Sequence, residues 1–333
     1  MIALSRHFKS MRCRIVALLS VAPIAIALSG GVTTAADPFR TENPRAIGET
    51  TEAAFRAMFE RGNYLEAERY LQQAEGAEPG EPMIYALQAA LAYQDENWEM
   101  LERHAERTLE TAIALTPTDP LRGNLYQAVG HFLQGAHIVE TEGTLRGAPR
   151  ALEKLQTVLQ LMNAAEQVDP DDPELNLLKG YMDLFLGLNL PFADPMAAVD
   201  RLERYAGPPY LARWGMAIAY RDLDQFQKAL DLVNAALEEI PDHPELFYLK
   251  AQILGSLAKE KNNDPQLLNA ANTSFQIALA KPQQLPKRTV AQIFYEQCKI
   301  LVRIDSRDRP CDPLRDSIKA TDGLWGPAQL PPM

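Results

Sequence analysis

Histidines and acids at helical spacing are the first residues of this sequence that could do chemistry. His137 and Glu140 stand three residues apart, so on a helix both side chains lie on one face and could supply two ligands to a metal. A zinc site needs three or four ligands, and the sequence indicates no others. The acids from Asp169 to Glu174 lack the glycine and the later glutamate of a calcium loop, so helix capping explains them better. We predict no metal and no cofactor.

Motifs for covalent catalysis and for phosphate binding are missing from the sequence. There is no Gly-x-Ser-x-Gly turn, no glycine-rich phosphate loop and no signature of a reactive cysteine with a histidine partner. Paired carboxylates serve glycosidases, but in a chain with 44 acids any two are uninformative without geometry. We therefore predict no catalytic residue and no enzymatic activity, and keep a helical-fold hydrolase as the less favoured alternative.

The beginning of the chain has the order of a secretory signal peptide. Four basic residues and no acid precede an apolar stretch from Ile15 to Leu28, and small residues follow it. We predict cleavage near Ala35 or Ala36 and export, to the periplasm, without stable membrane insertion afterwards. The alternative is an uncleaved anchor, although an apolar run of about eighteen residues is short for a bilayer core of about 30 Å. In both cases the folded part lies beyond the inner membrane.

The remaining chain is acidic. Residues 37–333 contain 29 basic and 44 acidic residues, a net charge of −15, divided into −18 over residues 37–280 and +3 over residues 281–333. Proteins that bind nucleic acids are usually basic where they do so. We therefore predict no nucleic-acid partner, and ligands that are basic or neutral and apolar.

The elements that must position these residues repeat along the chain. The sequence PDDPEL at residues 170–175 returns 71 residues later as PDHPEL at residues 241–246, which is close to two units of about 34 residues. In the unit 210–241, one helical pattern runs from Leu211 to Arg221 and a second from Phe226 to Ile240. Strand-like alternation is nearly absent, so we predict an all-α chain.

Four residues of this unit carry a resemblance to a known family. Tyr220, Ala229, Ala236 and Pro241 stand at signature positions of the tetratricopeptide repeat (TPR), where small residues let two helices approach closely. The match is most specific over residues 210–251. In overall organisation the chain also resembles uncharacterised exported TPR proteins of cyanobacteria. The resemblance implies a right-handed α-solenoid of about six or seven TPR-like helix pairs with a C-terminal cap.

The predicted organisation has four parts. They are the signal peptide (1–36), a linker (37–45), the TPR-like solenoid (46–303) and a C-terminal cap and tail (304–333).

In the TPR family the first helix of each unit lines a concave groove. Transferring the groove positions gives a mainly apolar and aromatic set: Met83, Tyr93, Leu177, Tyr181, Trp214, Arg221, Tyr248 and Gln252. Aromatic residues and arginine often anchor interfaces, so the resemblance implies a scaffold that binds a partner protein or peptide. Each aromatic residue could equally belong to the core. Self-association, as a structural component of an envelope assembly, is the alternative, and the oligomeric state stays open.

Two cysteines remain after removal of the first 36 residues, Cys298 and Cys311. Export would place them where disulfides form and persist. A polar turn at 305–310 could bring the chain back from the last amphipathic helix, predicted at 285–303. We therefore predict a disulfide that pins the following segment across a face that no further repeat covers. Free or intermolecular thiols are the alternative.

Overall fold

The computed structural model describes residues 37–189 and 194–333. The predicted signal peptide, residues 1–36, lies outside the described residues. The described chain forms fourteen α-helices and a short 3-10 helix at Pro282–Gln284, and contains no β-strand. The helices are α1 Glu49–Phe59, α2 Tyr64–Ala77, α3 Pro82–Gln94, α4 Trp98–Leu115, α5 Pro120–Glu142, α6 Thr144–Glu166, α7 Pro173–Asn189, α8 Pro195–Tyr205, α9 Pro209–Asp222, α10 Phe226–Glu239, α11 Pro244–Glu260, α12 Pro265–Ala278, α13 Lys287–Asp305 and α14 Cys311–Lys319.

Local sequence sets where many of these helices begin. The carboxylates of Asp119, Asp194 and Asp264 accept hydrogen bonds from free backbone N–H groups in the first turns of α5, α8 and α12. The proline that follows each aspartate has no N–H to leave unpaired. Asp172 caps α7 in the same way, with a bond of 2.8 Å from the Leu175 N–H. Of the acids at 169–174, Asp172 therefore has the expected capping role, whereas Glu174 pairs with Arg45 and Arg122.

Consecutive helices pack as seven pairs, from pair 1 (α1 and α2) to pair 7 (α13 and α14). The odd-numbered helices form the inner layer, and α3, α9 and α11 are buried on most of their surface. Helices α2, α4 and α10 bury only one face, which is rich in alanine and leucine. The predicted all-α solenoid of TPR-like pairs is confirmed. None of the described helices has the length and apolar composition needed to cross a membrane.

Contacts between distant pairs close the array. The Tyr64 hydroxyl at the start of α2 donates a hydrogen bond to the carboxylate of Glu245 in α11. Gly62, which has a φ of +55°, lies directly against Pro244, and a Cβ atom would overlap the proline ring. Pair 1 thus lies on pair 6, and we call this contact the seam. One pair further, Arg288 at the start of α13 forms a 3.0 Å ion pair with Glu96, which follows α3. Since both contacts join units five pairs apart, the chain completes a superhelical turn and begins a second upon it.

Residues 37–45, predicted as a linker, pack instead into the body of the protein. The ring of Phe39 lies 5.0 Å from that of Phe55 in α1. The guanidinium group of Arg45 is 2.8 Å from Asp172 and 3.1 Å from Glu174 at the start of α7. These contacts hold residues 37–45 against the folded body, and the domain boundaries themselves stay a prediction.

Glu174 also pairs with a buried arginine. Arg122 in α5 binds Glu81, at the start of α3, with two hydrogen bonds of 2.9 Å, and Glu174 with one of 3.0 Å. Its guanidinium group also lies over the ring of Tyr126. Because buried charges are tolerated only when paired, this cluster fixes the first turns of three inner helices relative to one another.

Candidate ligand-binding cavity

The inner helices surround a cavity of about 1220 Å³. Helix α13 lines it along its whole length, through residues that recur every three or four positions from Arg288 to Arg303. Helix α11 does the same from Glu245 to Lys259. Further lining comes from α9, from the ends of α3 and α5, and from α14, and the outer helices α4, α6, α10 and α12 contribute one residue each. Inner helices therefore supply most of the cavity lining.

A hydrogen-bonded network crosses the middle of the cavity. The carboxylate of Glu296 accepts hydrogen bonds from the Tyr248 hydroxyl (2.7 Å) and from the side-chain amides of Gln252 (2.9 Å) and Gln292 (2.8 Å). Gln252 in turn accepts a bond of 2.6 Å from Arg221. Because each residue of the network is held by at least one other, it is preorganised before any ligand arrives.

Arg221 is the half-buried charged group beside this network. Burial acts to lower its pKa, but the carboxylate of Asp222, 2.9 Å away, together with Tyr248 and Glu296, raises the pKa above its ordinary value. Arg221 therefore stays charged, and most of its charge is balanced within the protein.

Five of the eight predicted groove residues line the cavity. They are Tyr93, Trp214, Arg221, Tyr248 and Gln252. Trp214 offers little surface to a ligand, because its side chain is 1% exposed and its ring packs 4.9 Å from that of His243. Partner contact by these residues stays a prediction.

The other three predicted groove residues lie in the core. Met83, Leu177 and Tyr181 are buried and do not line the cavity. The Tyr181 hydroxyl donates a 2.9 Å hydrogen bond to the backbone carbonyl of Leu211, and its ring fits against Gly215 of α9. These three side chains pack within the core and do not line the cavity. Their contact with a partner stays a prediction.

Basic residues of the last three units are the part of the lining that sequence reasoning missed. The cavity wall contains seven basic and six acidic residues, although residues 37–333 carry a net charge of −15. The predicted preference for basic or neutral ligands assumed that the cavity shares the charge of the whole chain, and the lining does not support it. The positive charge of residues 281–333 was the available signal.

His137 and Glu140, considered above as metal ligands, have structural partners. Glu140 accepts a 3.0 Å hydrogen bond from the Tyr93 hydroxyl, and His137 lies 4.0 Å from Glu102. In the parts of the chain that the structure describes, no group of three or more histidine, cysteine or acidic residues could hold a metal ion.

The predicted disulfide between Cys298 and Cys311 is present, with Cα atoms 5.7 Å apart. It fastens α14 to α13. The tail then returns to the start of α13, where the Lys287 N–H donates a 2.9 Å hydrogen bond to Leu324 and the Gly326 N–H donates one to Leu285. The last inner helix is thus covered on its outer side, as predicted, and α14 contributes Arg315 and Lys319 to the cavity wall.

No protein-family model matches this sequence, and neither does any curated protein. Solved structures with a similar fold include the human IFIT1 dimer with PPP-AAAA, at 14% identity and a TM-score of 0.48. The match covers 82% of this chain and 60% of the IFIT1 chain. The human IFIT1 dimer with m7Gppp-AAAA gives 15% identity, a TM-score of 0.49, and 82% and 59% coverage. The chain therefore spans about three fifths of the IFIT1 chain.

The ligands in those IFIT1 structures are nucleic acids. Our prediction that a nucleic acid is excluded as a partner is withdrawn, because it assumed that the cavity shares the acidic charge of the chain. The physical reason is that the net charge of a chain does not fix the charge of its cavity, as the lining described above shows. The resemblance to exported cyanobacterial proteins stays a prediction.

Proposed function

We propose that this protein is a non-enzymatic scaffold, located beyond the inner membrane, that holds a segment of a partner protein in its cavity. The observation that carries the proposal is the cavity itself. At about 1220 Å³ it exceeds the usual range of small-molecule sites, roughly 300–1,000 Å³. Inner-helix side chains line it over several units, which suits an extended ligand.

The ionisable groups of the protein favour binding over catalysis. Catalytic groups usually have perturbed pKa values and face the ligand. Two large shifts here belong to Glu60 and His243: burial raises the pKa of Glu60 to about 8 and lowers that of His243 to about 3. Neither residue lines the cavity. Their shifts follow from burial where pair 1 packs against pairs 5 and 6, so they supply no argument for an active site.

Filling the cavity tests the proposal. Ser256 of α11 is half-buried and lines the cavity, so a Ser256→Trp variant would occupy the space of a ligand. Thr273→Trp, at an exposed position of the outer helix α12, is the matched control. Both variants and the parent chain 37–333 are used to capture proteins from an envelope extract, after thermal melting has shown equal folding. We expect Ser256→Trp to lose partners that Thr273→Trp retains. Equal capture by both would refute the scaffold role of the cavity.

The exported location is supported by the order of residues 1–36 and by the disulfide, because disulfides persist in oxidising compartments. Mass spectrometry of the protein recovered from cells should give a chain that begins near Asp37. Recovery of the full-length chain from the cytosol would contradict export.

Self-association is a second candidate, favoured by one observation. Leu145, Leu152 and Leu159 of α6 are 94%, 56% and 39% exposed, and their spacing of seven residues places them in one stripe. This stripe lies on an outer helix, and none of its three leucines lines the cavity. If it joins two copies, light scattering should give twice the chain mass, and a Leu145→Glu/Leu152→Glu variant should be a monomer. A monomeric parent chain would remove this candidate.

A further inference from the structure

Four cations of the cavity lining have no carboxylate partner. Lys259, Lys299 and Lys319 are exposed, and in the described parts of the chain no carboxylate oxygen lies within 4.0 Å of their ammonium groups. Arg303 is held by neutral acceptors: its guanidinium group donates to the Gly255 carbonyl at 3.1 Å and to the Asn263 side chain at 2.9 Å. We call these four residues the basic wall.

The basic wall is one surface, although three helices supply it. Lys299 and Arg303 are four residues apart on α13, which places them on the same face. Arg303 reaches α11 at Gly255, one helical turn before Lys259. Tyr295 of α13 connects this face to α14. Its ring lies 5.3 Å from the Lys299 ammonium group and 5.0 Å from the guanidinium group of Arg315, which is one helical turn before Lys319 on α14.

Five of the six acids in the cavity lining lie away from the C-terminal ends of α11 and α13: Glu96, Glu140, Asp222, Asp224 and Glu245. The sixth, Glu296, precedes Lys299 by one turn on α13, and its carboxylate accepts hydrogen bonds from three neutral side chains. Negative charge is thus concentrated away from the C-terminal ends of α11 and α13. A cavity with charge separated in this way orients a charged ligand and raises its local concentration at the wall of opposite sign.

We infer that the basic wall binds the carboxylate side chains of an acidic protein segment, which enters the cavity with its acidic residues against α11, α13 and α14. The inference rests on the proposed scaffold function and names the chemistry of its partner. A peptide can place carboxylates on one side and apolar or basic residues on the other. A nucleic acid carries a negative charge at every nucleotide and would bring phosphates close to Glu140 and Asp224, so the lining favours the peptide.

The probe is a fluorescent ten-residue peptide of alternating glutamate and alanine, and its matched control carries glutamine in place of glutamate. A ten-nucleotide oligoadenylate RNA forms the third arm. Binding to the disulfide-bonded chain 37–333 is measured by fluorescence anisotropy at low and at physiological salt. We expect the glutamate peptide to bind more tightly than the other two, and its affinity to fall as salt rises.

Two double variants test the position of the contact. Lys299→Glu/Lys319→Glu reverses two charges of the wall. Lys261→Glu/Lys281→Glu makes the same change in net charge at exposed positions outside the cavity lining. The wall variant should bind the glutamate peptide about tenfold more weakly at low salt, and the control about as tightly as the parent. Equal losses in the two variants would overturn the inference, because they would show an effect of net charge alone. Tighter binding of the RNA than of the glutamate peptide would overturn it as well.

Failure of this inference is distinguishable from failure of the scaffold proposal. If Ser256→Trp loses its captured partners while the wall variant keeps its affinity for the peptide, the scaffold proposal stands and the basic wall is refuted. If Ser256→Trp keeps those partners while only the wall variant loses the peptide, the wall binds carboxylates and the scaffold role of the cavity is refuted.

Discussion

A change of pH acts on the contacts of pair 1 with pairs 5 and 6 through two buried groups with opposite responses. His243 is fully buried, and burial lowers its pKa from 6.5 to about 3. Glu60 is buried too, and burial raises its pKa from 4.5 to about 8 despite the nearby Arg56. Tyr210 donates a hydrogen bond of 3.3 Å to the Glu60 carboxyl group. Both side chains are therefore neutral in the folded protein at pH 7.

The direction in which each group changes the stability with pH follows from the direction of its pKa shift. The stabilising contribution of neutral His243 is complete above about pH 6.5 and is lost as the pH falls towards 3, because the unfolded chain then binds the proton more readily. The contribution of neutral Glu60 is complete below about pH 4.5 and is lost as the pH rises towards 8. Between pH 7 and pH 5 the His243 contribution falls by about 2 kcal/mol, and the Glu60 contribution rises by about 2 to 3 kcal/mol.

Two variants separate these contributions. In Glu60→Gln only His243 remains, so the free energy of unfolding should fall by about 2 kcal/mol from pH 7 to pH 5 relative to a His243→Leu/Glu60→Gln double variant. In His243→Leu only Glu60 remains, and the free energy of unfolding should rise by about 2 to 3 kcal/mol relative to the same double variant.

Urea unfolding followed by circular dichroism at pH 5, 6 and 7 gives these differences. Comparison with the double variant cancels the titration of groups elsewhere in the chain. If the two single variants change with pH in the same direction, the assignment of opposite roles is wrong.

The remaining predictions concern the elements that hold the array together. Removing the disulfide with Cys298→Ser/Cys311→Ser should lower the free energy of unfolding by about 3 kcal/mol, because a bridge over 13 residues restricts the unfolded chain; urea unfolding with unchanged stability would contradict this. Arg122→Ala should lower the free energy of unfolding by roughly 3–5 kcal/mol, because it leaves buried carboxylates without a cation. Arg103→Ala removes an exposed ion pair and is the control, for which calorimetry should show almost no effect. Gly62→Ala should lower the free energy of unfolding by more than about 1 kcal/mol, because Gly62 has a positive φ and a Cβ atom there would overlap the neighbouring proline ring. Gly80→Ala should lower it much less, because a Cβ atom there meets no atom within 4 Å. Equal melting temperatures of these two variants would show that the seam tolerates a Cβ atom.

The local part of the fold was predictable because its causes are local. The Asp-Pro steps at 119, 194 and 264 cap helices with their own side chains, and the alanines of the 210–241 unit permit close packing within one pair. The disulfide was predictable because only two cysteines remain after position 36 and a polar turn separates them. In these cases the cause and its effect lie within about 35 residues.

The closure of the array was not predictable in this way. The bond between Tyr64 and Glu245 joins residues 181 positions apart, and nothing in the sequence around either residue indicates the other as its partner. From the sequence alone, an inward-facing residue that lines the cavity cannot be distinguished from one that packs on the next inner helix. For this reason Tyr93 and Tyr181 received the same prediction, although Tyr93 lines the cavity and Tyr181 is in the core. The basic wall was hidden by the acidic composition of the other units.

The contact between pair 1 and pair 6 has a consequence for how the chain reaches its folded state. Open repeat arrays are stabilised by nearest neighbours, so they can fold unit by unit as they are synthesised. Here Tyr64 and Gly62 have their partners in residues 243–245, which the ribosome delivers about 180 residues later. The first pair must therefore wait, with part of its apolar surface uncovered, until most of the chain exists. Closing so long a loop is slow, which makes the newly made protein a candidate client for chaperones that shield exposed helices.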